Sequence, residues 1–277
     1  MSIEERVSEH YGRGGLADRI FAALKAAGVD PHAPTIEDLA PLDEFHTAGR
    51  AATLKALALM PLEQGMHVLD AGSGIGGTAR RLAMDYGCRV TGLDLTPEFT
   101  EVARRLTEET GLSDKCAFET GSVLATPFPD RSFDAAVTFH VAMNIEDRAG
   151  FYREMSRVVK AGAPFCVFDV MKGPMPGMIY PVPWAETSAT SFLKSAGETR
   201  ALLDETGFEV VNEENLRDFA IEFFREVAAK LSTQGEGMPP LGLHVLMGES
   251  AQQKLANYLK ATEARQIEPV ILIAQRR

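Results

Sequence analysis

Four glycines within six residues, Gly72, Gly74, Gly76 and Gly77, stand between two acids, Asp70 and Asp94. Glycines at a turn permit positive φ and let a ligand reach the backbone without meeting a Cβ. A helix opening directly after them presents unpaired N–H groups, so this stretch is expected to hold a nucleotide-like ligand. Gly72-x-Gly74-x-x-Gly77 satisfies the dinucleotide fingerprint, and Asp94 lies near the spacing of an acid that holds a ribose hydroxyl. An NAD-dependent oxidoreductase is therefore one reading. Asp70 favours another: a pyrophosphate over this turn would sit beside a like charge, whereas a ligand bearing an ammonium and a sulfonium would be attracted. S-adenosylmethionine carries both cations and no phosphate. The plain structural alternative is a strand-to-helix turn in which Asp70 only caps the helix that follows.

The elements that must position these residues follow from apolar spacing. Met66 to Leu69 is a short apolar run ending in Asp70. Thr78 to Tyr86 has helical spacing, with Ala79, Leu82 and Ala83 on one face and Gly87 as its stop, and Arg89 to Leu93 leads as a second strand into Asp94. Both acids thus end strands of one βαβ unit. The alternation continues with a helix opening at Thr96-Pro97-Glu98 and strands over Lys115 to Thr120 and Ala135 to Phe139. An amphipathic helix over Asp147 to Lys160, a strand over Phe165 to Val170, a helix over Glu198 to Thr206 and a strand over Phe208 to Val211 complete an α/β core at residues 63–215. Residues 1–62 read as a helical cap segment, with helices at Leu16 to Ala27, from Thr35-x-x-Asp38 and around Leu54 and Leu57. Residues 216–266 read as a helical cap insertion, in which Phe219, Phe223, Val227 and Leu231 form a core-facing stripe and a link at 233–242 leads to a helix over 246–264. Residues 267–277 supply the last core strand, which Pro269 places at a sheet edge or near its own start.

Asp70-Ala71-Gly72-Ser73-Gly74-Ile75-Gly76, an acid and a residue followed by G-x-G-x-G, resembles the first motif of the class I S-adenosylmethionine-dependent methyltransferases. Asp94 matches the family's second landmark, an acid ending strand two, and Pro127 to Asp134 resembles the family's loop before its fourth strand. The resemblance covers residues 66–211 well. It implies a doubly wound, Rossmann-like sheet of seven strands with the last antiparallel, and S-adenosylmethionine as methyl donor. The donor contacts it implies are Asp70, Gly72, Ser73 and Gly74 at the turn, Asp94 and Leu95, Ser122 and Val123 after the third strand, and His140 after the fourth. One departure stands out, because the family commonly places an acid after glycine to bond the adenine amino group, and here Gly121 is followed by Ser122. In related small-molecule methyltransferases the segment before the first strand folds over the donor, which makes Tyr11, His46, Thr47 and Arg50 candidates. The arrangement is similar to the sarcosine and dimethylglycine group and to enzymes acting on quinone or tocopherol rings.

Displacement at a sulfonium needs alignment and exclusion of water more than proton transfer. A base is required only when the acceptor holds a proton at neutral pH. His140, at the carboxyl end of the fourth strand, is the first candidate and His46 the second, with a packed or hydrogen-bonded histidine as the alternative for His140 and a surface hinge as the alternative for His46. The loop from Met171 to Trp184 carries Met175, Met178, Tyr180 and Trp184, which either line an apolar or cation-binding pocket or anchor the loop to the core. With Tyr11 and Asn144, Tyr180 and Trp184 are the acceptor-binding candidates. An amine nitrogen is the acceptor first expected, and C- or O-methylation of an aromatic ring such as a quinone or phenol is the alternative.

The 277 residues carry 28 Lys+Arg against 39 Asp+Glu, a net charge of -11, which argues against a nucleic-acid partner. Arg80-Arg81 and Arg104-Arg105 are isolated pairs expected on solvated helix faces. Three scattered cysteines and six histidines without ligand spacing indicate neither a disulfide framework nor a metal site. No apolar run reaches the length of a membrane span, and the N-terminus lacks a signal peptide's apolar segment, so a cytoplasmic location is expected. The partner expected is a small-molecule methyl acceptor, with a homo-oligomer left open.

Overall fold

Helices come first in the chain: α1 (Ile3–Tyr11), α2 (Leu16–Ala26), α3 (Ile36–Asp43) and α4 (Gly49–Ala58). The alternating core runs β1 (His67–Ala71), α5 (Gly77–Tyr86), β2 (Arg89–Asp94), α6 (Pro97–Glu109), β3 (Cys116–Thr120), β4 (Ala135–Phe139), α7 (Arg148–Val158), β5 (Pro164–Lys172), α8 (Ala196–Glu205) and β6 (Phe208–Asn215). Then α9 (Arg217–Thr233), α10 (His244–Met247) and α11 (Ala251–Glu263) precede β7 (Ile267–Arg276). The structure, a computed structural model, describes residues 2–12, 14–233 and 239–277, so residues 234–238 of the expected link lie outside the described residues.

The strands form one seven-stranded sheet in the order β3-β2-β1-β4-β5-β7-β6. β1 pairs in parallel with both β2 and β4, and β7 runs antiparallel to both β5 and β6. The chain therefore winds outward one way from β1 and the other way from β4, which opens a crevice at their carboxyl ends. Successive strand residues alternate between two buried faces. Val68, Val137 and Phe168 pack with Ala52, Leu57 and Leu82 on one side, and Leu69, Ala136 and Val167 pack with Phe151, Met155 and Phe208 on the other. Burial on both faces explains why these strands read as continuous apolar runs.

Several expectations need correction. β7 is an interior strand, so of the two placements read from Pro269 the one near the strand's own start holds and the sheet edge does not. The helix expected over 246–264 is broken at Gly248, whose φ of 71° suits glycine and ends α10. Arg80 and Arg81 are buried rather than solvated, because α3 packs over α5. The charge of Arg80 is met by Asp43 Oδ1 at 2.5 Å, with the Ile75 carbonyl and the Thr107 hydroxyl as further acceptors at 2.9 and 3.0 Å. All three cysteines are buried and free, in or beside β2, β3 and β5. Among the described residues no helix is long and apolar enough to cross a membrane.

α1 is not among the helices expected above, although its signal is present in the sequence. Ser2 Oγ accepts from the Glu5 amide at 3.1 Å, while the Ser2 amide donates to Glu5 Oε2 at 2.6 Å, a complete capping box. None of its residues is fully buried. Ile3, Glu4, Val7 and Tyr11 nevertheless share a helical face, and all four line the cavity described below.

Candidate active site

A cavity of about 310 Å³ opens at the carboxyl ends of the central strands. Its floor is the glycine turn after β1, which the end of β2 holds in place. The Leu93 carbonyl accepts from the Gly72 amide at 2.7 Å and from the Ser73 amide at 3.1 Å. The Gly74 amide donates to Asp94 Oδ2 at 2.8 Å, and the Gly76 amide donates to the Ser73 carbonyl at 2.9 Å. These N–H groups, which a pyrophosphate would need, are already spent within the protein. Asp43 also lies against the start of α5, since a Cβ on Gly77 would stand 2.5 Å from its backbone oxygen. Four committed amides and the Asp43 backbone at the helix start leave a pyrophosphate fewer donors and less room at this turn.

Two glycines of the turn have different reasons to be glycine. Gly72 has φ +83°, and a Cβ there would come within 2.2 Å of Val141 Cγ2. Gly74 has φ +53°, but a Cβ there would meet nothing within 4 Å. The first is fixed by packing. The second lines open cavity.

Asp70 is buried at the end of β1, and its Oδ2 has no hydrogen-bond partner. Burial, reinforced by the charges of Asp94 and Glu44, pushes its carboxyl up to about 7, against a weaker pull from the Ala79 amide in the first turn of α5. Asp94 is also raised by burial, partly offset by the Thr96 and Gly74 amides, which donate to Oδ1 at 2.9 Å and Oδ2 at 2.8 Å. No side-chain cation pairs with either acid among the described residues. Two neighbouring buried carboxylates facing a cavity are costly unless a cation arrives. The unpartnered oxygen of Asp70 and the open space above Gly74 fit a ligand that brings one.

Beyond Asp94 the floor continues to the end of β3, where the Gly121 amide donates to the Asp94 carbonyl at 2.9 Å. Ser122 Oγ accepts from the Leu124 amide at 3.0 Å and donates to Glu4 Oε1 on α1.

On the other side, His140 follows β4 with φ +54°, an unusual conformation for a residue with a Cβ and one that recurs at functional sites. Its amide is anchored to the Phe168 carbonyl at 2.7 Å, and its Nε2 is buried without a partner. Burial first, and the nearby His46 second, push its pKa well below the ordinary value, so the ring is neutral. His46 lies 5.7 Å from it, centroid to centroid. The Thr53 hydroxyl donates to Glu44 Oε2 at 2.6 Å, which makes Thr53 Oγ1 the acceptor of His46 Nε2–H at 2.7 Å. Burial lowers the His46 pKa to about 4. His46 Nε2 is thus committed to the protein, and His140 Nε2 is free.

Aromatic and aliphatic side chains complete this half, among them Phe45, Phe139, Trp184, Phe224, Leu246 and Tyr258. The Trp184 and Tyr258 rings meet edge to face at 6.3 Å. Trp184 Nε1 donates to Ser191 Oγ at 2.9 Å, and the Tyr258 hydroxyl is 2.5 Å from Thr47 Oγ1. Asn144 lines the cavity as scaffold. Its amide donates to the Trp184 and Thr190 carbonyls at 2.9 and 2.8 Å, and its oxygen accepts from the Tyr11 hydroxyl at 3.1 Å.

The structure brings together Tyr11, His46, Asp70, Gly72, Ser73, Gly74, Asp94, Leu95, Ser122, Val123, His140, Asn144 and Trp184 around this one cavity. It does not bring Arg50 or Tyr180 there. Arg50, in the first turn of α4, pairs with Glu37 on α3. Tyr180 packs half-buried in the cluster of Met143, Val182 and Trp184, and Met175 of the same loop is exposed. Residues that sequence reasoning missed are Glu4, Phe45, Phe224, Leu246 and Tyr258. Glu4 had the capping box of α1 as its signal. Phe224 stood beside a stripe that was read as core, and the others carried none.

Residues 69–167 match the family model described as a methyltransferase domain. Ajmaline N-methyltransferase of Rauvolfia serpentina is 35% identical over 109 residues, which are 39% of this chain and 38% of that protein. The 2-methyl-6-phytyl-1,4-hydroquinone methyltransferase of Synechocystis is 40% identical over 108 residues, 39% of this chain and 33% of that one. The chain thus spans well under half the length of these relatives. Geranyl diphosphate C-methyltransferase from Streptomyces coelicolor, solved with Mg2+, geranyl-S-thiolodiphosphate and S-adenosyl-L-homocysteine, superposes with a TM-score of 0.74 at 15% identity, covering 100% of this chain and 99% of that one. This last is a likeness of fold.

Proposed function

We propose that this chain, which carries a methyltransferase domain over residues 69–167, transfers a methyl group from S-adenosylmethionine to a neutral, largely apolar small molecule. The observation that carries the donor is Asp70, buried beside Asp94 with an unpartnered oxygen and, among the described residues, no side-chain cation. Asp70 would hold the ammonium end, Asp94 the ribose hydroxyls, and Ser122 and Val123 the base. When bound, the donor supplies a methyl group on a sulfonium, an electrophile that already has its leaving group. Residues 1–62 and 216–266 are read as the cap, whose α1, Phe224 and Leu246 wall the cavity and exclude water.

The acceptor half presents neutral polar groups: the Tyr11 hydroxyl, the Thr47 and Tyr258 pair, and two imidazoles held uncharged by burial. That lining suits a hydroxyl-bearing apolar ring better than a cationic amine. His140 Nε2 is the free acceptor for the hydroxyl proton, and His46 orients it from the side. The wall of Phe45, Trp184 and Tyr258 sets the acceptor's approach.

The test is release of S-adenosylhomocysteine with a panel of apolar phenols, hydroquinones and secondary amines. Phenolic acceptors are expected to turn over, and His140→Ala is expected to lower kcat by about 100-fold, the usual range for a general base, with donor affinity unchanged. Turnover of amines alone, indifferent to His140→Ala, would replace this reading with N-methylation.

A further inference from the structure

We infer that Glu4, on the N-terminal helix, supplies the carboxylate that accepts the exocyclic amino group of the donor's adenine, in place of the acid that the loop after β3 lacks. This rests on the donor reading above. The end of β3 is the place next to Asp94, because β2 and β3 are neighbours and the Gly121 amide bonds the Asp94 carbonyl. A ligand whose ribose is held at Asp94 puts its heterocycle there. The cavity lining from the neighbouring core and from α1 includes Leu95, Val123, Leu124, Ile3 and Val7, and Glu4, bonded to Ser122, is the carboxylate that α1 brings to the end of β3.

The hydrogen bonds around Ser122 leave the task to Glu4. Ser122 Oγ already accepts from the Leu124 amide and gives its proton to Glu4 Oε1, so the serine acts as an anchor. Glu4 Oε2 has no partner among the described residues. It is a strong, charge-bearing acceptor, matched to an N–H2 donor on a flat ring. The placement follows from helix geometry. Seven residues on, at about 1.5 Å each, Tyr11 on the same helix bonds Asn144 just after β4. α1 therefore crosses the top of the sheet from β3 to β4, with Glu4 at the base end and Tyr11 at the reaction end. Donor recognition and closure of the cavity by α1 become one event.

The experiment compares binding of S-adenosylhomocysteine with binding of its 6-desamino purine analogue, which keeps the ring nitrogens and lacks only the amino group. Wild type is expected to prefer the amino form by on the order of tenfold, the worth of one hydrogen bond to a charged group. Glu4→Ala is expected to shrink that preference at least threefold, and Glu4→Gln, which keeps an acceptor oxygen, to retain part of it. The ratio is the readout because loosening of α1 would weaken both ligands alike. An unchanged ratio in Glu4→Ala, or no preference in wild type, overturns the inference while leaving the donor reading intact. Binding of neither ligand by wild type overturns the donor reading, and this inference with it.

Discussion

The two halves of the cavity are built in opposite ways. The donor half comes from one short stretch, Asp70 to Leu95, extended by Ser122 and Val123, and all of it sits on strand ends whose backbone hydrogen bonds leave it little freedom. The proposed acceptor half is gathered from the end of β4 and the turn after it, Phe139 to Asn144, together with Tyr11, Phe45 to Thr47, Trp184, Phe224, Leu246 and Tyr258 from the N-terminal segment, the loop after β5 and the late helices. One half concentrates buried negative charge, and the other presents neutral rings and hydroxyls. On the proposed reading the donor is met by the rigid edge of the sheet, and the acceptor by that edge at β4 together with elements that can be exchanged without disturbing it.

The largest effect should come from the acid shared by turn and ligand. Asp94→Ala removes the proposed ribose contact and the tethers to Gly74 and Thr96. Titration with S-adenosylhomocysteine should show affinity lowered by about 100-fold, as expected for two hydrogen bonds to a charged group; unchanged affinity would show that the ribose lies elsewhere.

Next come the two glycines, which separate packing from binding within the same turn. Gly72→Ala drives a methyl group into Val141 and should lower unfolding free energy by about 2–4 kcal/mol in denaturant titration. Gly74→Ala should cost about 1 kcal/mol for its left-handed backbone, yet weaken the donor about tenfold, because its methyl group occupies cavity. Equal effects of the two on stability and on binding would remove that distinction.

A smaller effect is the pH dependence. Burial makes Asp70 hold its proton up to about 7 in the free protein, against an ordinary value of 3.8. The native state therefore binds more protons than the unfolded state between these values. This group makes the unliganded protein lose stability as pH rises from about 4 to about 7. A cationic donor needs the carboxylate, so donor affinity should rise with pH, by up to about tenfold per unit, and level off above about 7. Asp70→Asn should flatten both profiles, as read by donor titration and thermal melting from pH 5 to 8. A wild-type affinity that does not change over that range would separate Asp70 from the donor's charge.

The smallest effect tests the independence of the halves. Phe224→Ala alters only the acceptor wall and should change acceptor KM while leaving donor affinity within about twofold, since it lies far in sequence and on another element from the glycine turn. A matching loss of donor affinity would mean that the two halves act as one.

The same contrast explains what was legible in the sequence. Asp70, Gly72, Gly74 and Asp94 could be read because local sequence makes both the βαβ unit and the site. The core elements were legible for the same reason, since strands buried on both faces are unbroken apolar runs. Arg80 was misplaced because its burial depends on Asp43, a partner from another helix that no local pattern reveals. Arg50 was drawn toward the site by resemblance, but its ion pair with Glu37 holds it outside the cavity. Tyr258 stayed invisible, because its role depends on α11 folding back against Thr47. Glu4 lay between the two cases: the capping box of α1 was readable, but its contact with Ser122 was not.

The most direct measurement is parallel calorimetric titration of the purified chain, at pH 8, with S-adenosylmethionine, S-adenosylhomocysteine and NADH. Saturable one-site binding of the first two and none of the third is expected, because the amides of Gly72, Ser73, Gly74 and Gly76 are committed and Asp70 and Asp94 repel a pyrophosphate. Binding of NADH, with the two adenosyl ligands inert, would contradict that expectation.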